Sequence, residues 1–185
     1  MSQHRIRSPG AVSTVEDAAE QLGCSDVTDV ARAAARHAAC QLGDEYTDAV
    51  LAAAALRLAT ARGRHQTVPI DAVCQQFEVD QSAVAAVESV LVDTLQPPAS
   101  PETVRHLRRT VITVRELLAA VESDRSCAPY RPGTALEGLD PAVASLLEQP
   151  LDQLDEVELR AHLERLEADL RMARLGVDLY LLVAE

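Results

Sequence analysis

The 185 residues contain no Lys, no Asn and no Trp, and only one Phe and three Tyr. With aromatics at 2 % and apolar residues at 48 %, a packed interior has to come from Ala, Leu and Val. Basic charge is scarce as well: seventeen Arg face twenty-nine Asp and Glu, a formal net charge of −12. That balance opposes nucleic-acid binding by bulk charge. No apolar run reaches the roughly 18–20 residues of a membrane span, because Arg57 interrupts the Ala-rich stretch from Ala49 to Ala61. Residues 1–10, MSQHRIRSPG, carry basic residues but no apolar signal-peptide core, so they read as a short lead-in to a soluble, cytoplasmic protein with no membrane partner.

Cysteine is sparse too. Cys24, Cys40, Cys74 and Cys127 lie 16, 34 and 53 positions apart, without the close spacing of a metal knuckle or redox pair. They read as small buried apolar residues. Phosphate-cradling loops, nucleophile elbows and zinc-protease His pairs are missing, and His4, His37, His65, His106 and His162 are scattered. Glu158 and His162 share a helix face, but Arg165 and Leu166 follow them, so no third ligand completes a site. The chain therefore reads as a non-enzyme with no catalytic residue, cofactor or metal. Lys and Asn use A-rich codons, so their joint absence points to a GC-rich genome. Together with a pI near 4.8 it suits life in high internal salt, as in an extreme halophile, where carboxylates hold the surface in solution. An ordinary acidic cytosolic protein fits the same figures.

The residues that are present repeat with helical period throughout, which predicts an all-α fold. Ser13-Thr14 opens a first helix that stops at Gly23, and Ser25 or Asp26 opens a second that ends at Gly43. Thr47 caps a third, DAVLAAAALRLATAR, whose small side chains suit the centre of a bundle. Pro69 starts a short fourth, and a fifth runs from about Gln81 to Leu95, before the stiff break of residues 96–101. Val104, Leu107, Val111, Val114, Leu118 and Val121 then draw one heptad seam. Leu159, Leu163, Leu166, Leu170, Ala173, Val177 and Tyr180 draw another, with room for a short helix near Ala142–Glu148 between them. This pattern predicts a lead-in (1–12), a five-helix bundle (13–95), a Pro-rich linker (96–101) and a helical hairpin with a long Pro/Gly connector (102–185). The second seam, through Leu159, Leu163, Leu166, Leu170 and Val177, serves either hairpin packing or coiled-coil self-association as a homodimer.

Ala49 to Leu91, AVLAAAALRLATARGRHQTVPIDAVCQQFEVDQSAVAAVESVL, resembles the cyclin-like repeat of the transcription factor IIB family: an AAAL-centred third helix, a short linker ending in Thr, a brief fourth helix and a turn into the fifth. The likeness covers roughly residues 14–95. It implies a five-helix cyclin-like bundle that works as a protein-binding scaffold in transcription, with contacts to promoter DNA and the TATA-binding protein in that family. The zinc ribbon and second repeat of transcription factor IIB have no counterpart here. In the helix-turn-helix-like fourth and fifth helices only Gln81 and Ser82 suit base reading, while Asp80 and Glu88 oppose phosphate, so DNA contact is secondary. Arg57, Arg62, Arg64 and His65 at the end of the third helix either form one candidate contact for a phosphate or an acidic partner, or answer the helix dipole at that C-terminus. Arg105, His106, Arg108, Arg109 and Arg115 form a second, which either meets a partner, or DNA in a small halophilic regulator, or pairs with Glu156, Glu158, Glu164 and Glu167 of the last helix.

Overall fold

A computed structural model describes residues 10–63, 66–123 and 141–184. Among them every regular element is helical, so the chain is all-α. Two compact units emerge: Met1–Pro98 with Leu175–Glu185, and Ala99–Arg174. The first holds α1 (Gly10–Gln21), α2 (Thr28–Leu42), α3 (Asp48–Arg62), α4 (Ile70–Phe77), α5 (Gln81–Thr94) and a C-terminal helix, α9 (Val177–Ala184). The second holds α6 (Pro101–Glu122), α7 (Pro141–Leu147) and nearly all of α8 (Glu156–Leu175).

Helix α3 is the axis of the first unit. Thr47 begins it, its hydroxyl accepting the Val50 N–H at 3.4 Å. Ala52, Ala53, Ala54 and Ala55 are fully buried, and with so little side chain on α3 four neighbours, α1, α2, α4 and α5, pack directly against it. The larger side chains of the core come from α3 itself, through Leu51, Leu56 and Leu58, and from its neighbours, through Val15, Val73, Phe77, Val84, Val87 and Leu91. A short 3-10 turn, Ser25–Val27, leads into α2, so that helix opens at Thr28, later than its sequence signal. Helix α1 likewise starts at Gly10, which puts Ser13 and Thr14 inside it instead of at its cap.

The final helix departs from its seam. Leu159 to Tyr180 keep a heptad rhythm, but the helix breaks at Gly176, whose φ of +81° is left-handed. Val177 and Tyr180 therefore belong to α9, which packs on α2 and inserts Leu179, fully buried, into the bundle core. The bundle thus has six helices, the last contributed from the far end of the chain. A side chain at position 176 has no room: a Cβ would stand 2.3 Å from the Gln96 carbonyl oxygen.

In the second unit α6 and α8 run antiparallel, matched by Ala99 N–H on the Ala173 carbonyl (2.8 Å), Arg115 on Glu167 (2.6 Å) and Arg160 on Glu122 (2.7 Å). Ser100 caps α6 by accepting the Thr103 N–H at 3.1 Å, with Pro101 in the first turn. The two seams face each other. Val111, Val114, Leu166 and Leu170 pack with Val143 of α7, and Leu117 and Leu159 pack with Leu147 and Leu151.

Gly176→Ala combines left-handed strain with a backbone clash, and we expect it to destabilise the first unit by about 3 kcal/mol or more. Chemical denaturation of the two proteins measures this directly.

Candidate functional site

The two arginine groups read from the sequence meet different fates. Arg57 is half-buried. Its Nε donates to Glu88 Oε2 at 3.0 Å and its Nη2 to Glu88 Oε1 at 3.4 Å, a two-pronged pair that ties α3 to α5. Its Nη1 also reaches the Val68 carbonyl at 3.4 Å. Thr60 completes this corner, donating to the Arg57 carbonyl (2.9 Å) and accepting the Val68 N–H (3.2 Å), which fixes the turn between α3 and α4.

Arg62 goes further inward and is 7 % exposed. Its Nη1 donates to the Leu175 carbonyl at 2.8 Å and to the Gln96 carbonyl at 3.1 Å. The Gln96 N–H in turn donates to the Asp178 carboxylate at 2.8 Å. Burial pulls the Arg62 guanidinium below its ordinary pKa, and the Asp178 carboxylate opposes that shift. Arg57 and Arg62 are thus joints of the bundle. Arg64 and His65 lie outside the described residues.

On α6, by contrast, Arg105, His106, Arg108 and Arg109 are all exposed, and Arg105, Arg108 and Arg109 make no hydrogen bond or ion pair among the described residues. Only Arg115 joins the acidic helix, through Glu167. Ile112, 37 % exposed, follows one turn after Arg108 and gives the basic face an apolar edge. This face can hold an anionic surface by several donors at once, and its specificity would come from the fixed helical spacing.

The leucine seam is occupied within the chain. Leu159, Leu166 and Leu170 are buried between α6, α7 and α8, Leu163 packs at their edge, and Val177 sits on α9. The α4–α5 turn is equally committed. Asp80 accepts the Ser82 N–H (2.8 Å), the Ala83 N–H (3.3 Å) and the Ser82 hydroxyl, so Ser82 is engaged in capping and Gln81 is the one remaining base-reading type there. The Ser82 hydroxyl first, then these two N–H groups, hold the Asp80 carboxyl below its usual range.

Cys24 is buried as expected and Cys74 partly so, whereas Cys40 is exposed; Cys127 lies outside the described residues. Burial pushes the Cys24 thiol pKa up, with Asp26 adding to it, which suppresses the reactive thiolate. Among the described residues no three His, Cys, Asp or Glu side chains gather to hold a metal, and no helix is long and apolar enough to cross a membrane. His162 is half-buried on α8, its Nε2 without a partner. Comparison with protein-family models, curated proteins and solved structures finds no match.

Arg62→Ala strands the buried Leu175 carbonyl and removes the tie to the Gln96 carbonyl, and should lower stability by about 3 kcal/mol, read as a shift in the denaturation midpoint. Asp80 acts through pH. Its folded pKa is lower than its unfolded value near ~3.9, so its stabilisation is present above that pH and fades as pH falls through the folded value. Asp80→Asn should accordingly flatten the acid limb of the stability curve below about pH 4 and leave the rest of its shape intact.

Proposed function

We propose that the chain is a non-enzymatic, cyclin-like helical adaptor, resembling transcription factor IIB, that acts in transcription or its regulation through protein contacts. The contact surface is the basic face of α6, with DNA contact secondary. One observation carries this reading: in a chain of net charge −12, three exposed arginines within a single helical turn and a residue, at positions 105, 108 and 109, are kept without an acidic partner among the described residues. Keeping them unpaired beside so many carboxylates suits a face held open for a partner. The α3 arginines offer no such surface, since their donors already end on Glu88 and on backbone carbonyls.

The resemblance to the transcription factor IIB family supports the choice of partner, and the Ala-lined α3 with four helices around it supports a scaffold. The test uses the full-length protein, immobilised and exposed to purified polymerase and TATA-binding protein from its own cells, with and without nuclease. We expect nuclease-insensitive capture that Arg105→Glu/Arg108→Glu/Arg109→Glu weakens at least tenfold, about 1.4 kcal/mol, while helicity is unchanged. Capture of neither protein, or capture abolished by nuclease, would overturn the reading.

A further inference from the structure

The charges of the second unit are sorted along its length. The Arg115–Glu167 pair marks the middle of the antiparallel hairpin and neutralises itself. On one side of that pair lies the root, where the chain enters at Ala99 and leaves at Arg174. It carries five arginines against Glu102 and Asp169, a net +3. On the other side, among the described residues, lies the tip, with eight acidic residues against Arg160 and Arg165, a net −6. At about 1.5 Å per helical residue, Arg108 and the level of Glu158 are roughly 25 Å apart, beyond the ~10 Å screening length at 0.1 M salt. The two ends therefore act on their surroundings separately.

Each end also exposes a β-branched apolar side chain. Ile112 borders the basic face, and Val157, 74 % exposed, stands between Glu156 and Glu158 at the start of α8. Asp155 caps that helix, accepting the Val157 N–H at 2.8 Å and the Glu158 N–H at 3.3 Å, so the backbone presenting Val157 is held in place. The Asp152 and Glu158 carboxylates are exposed and make no hydrogen bond or ion pair among the described residues.

We propose that a second copy of this chain occupies the basic face: the Arg105, Arg108 and Arg109 face of one copy takes residues 152–158 of the other, with Ile112 and Val157 covering each other. Two hairpins laid side by side and antiparallel place each root on the partner's tip, so one two-fold axis makes both contacts. A second copy fits better than nucleic acid, because the complementary charge and the complementary apolar residue belong to the same unit, and phosphate offers no apolar partner to Ile112. This inference rests on the reading of the α6 face as a protein-binding surface and gives it a second copy as occupant in the free protein, which a transcription partner would displace.

Sedimentation equilibrium of the full-length protein tests it, at ~0.1 M and ~1 M KCl, where the screening length falls from about 10 Å to about 3 Å. The wild type is expected to dimerise at the lower salt, with a dissociation constant at least tenfold higher at the upper. Arg105→Glu/Arg108→Glu/Arg109→Glu and, separately, Asp152→Arg/Glu158→Arg should each stay monomeric with unchanged helicity. Their equimolar mixture should associate, since one retains an acidic tip and the other a basic root. A monomeric wild type, a dimer that survives both variants, or a mixture that fails to associate would overturn the proposal. A monomer that still binds polymerase or TATA-binding protein through the three arginines leaves the adaptor reading standing; one that binds only duplex DNA removes both.

Discussion

One guanidinium holds the first unit closed. Arg62, at the end of the central helix, donates to the Gln96 carbonyl, where the chain is about to leave the unit, and to the Leu175 carbonyl, where it returns. Asp178 takes the Gln96 N–H from the other side, so both crossing strands are bound to each other and to α3. Such an arginine is costly to desolvate, and its position is tenable because Nη1 ends on two backbone carbonyls, that of Leu175 being buried. Gly176 belongs to the same joint. Its left-handed backbone turns the chain directly beneath Gln96, with no space for a side chain, and α9 follows onto α2.

This joint divides the arginines by role. Those on α3 are consumed by the bundle, Arg57 in a two-pronged pair with Glu88 and Arg62 in the clasp. Arg115 and Arg160 stitch the antiparallel hairpin. Such exposed pairs contribute little individually, on the order of 0–1 kcal/mol, yet they agree with the apolar seam on a single register. Arg105, Arg108 and Arg109 remain outward, which makes α6 a helix with one face in the hairpin core and another open to solvent.

The elements legible in the sequence are those with local causes. Thr47 caps the helix that follows it, the Ala run marks the buried axis, and both leucine-valine seams meet across the hairpin. What escaped local reading depends on distant partners. The heptad rhythm continues through Gly176 without a missed beat, so nothing in the spacing reveals that the helix breaks there and that its last turns join another unit. Arg57 and Arg62 look like surface charges at a helix end, because Glu88 is 31 positions away and the Leu175 carbonyl 113, and a backbone carbonyl leaves no mark in a sequence. Cys40 gives no sign of its exposure either, since the α2 pattern around it is rich in Ala on every side.

Helix α9, though only eight residues long, is a full member of the first unit because the Arg62 clasp and buried Leu179 fix it there. Native-state hydrogen exchange tests that most directly. The account predicts that the Tyr180 amide, bonded to the Gly176 carbonyl at 3.0 Å, opens with the same free energy as the amides of α3. Exchange of α9 at the rate of a frayed terminus, with α3 still fully protected, would contradict it.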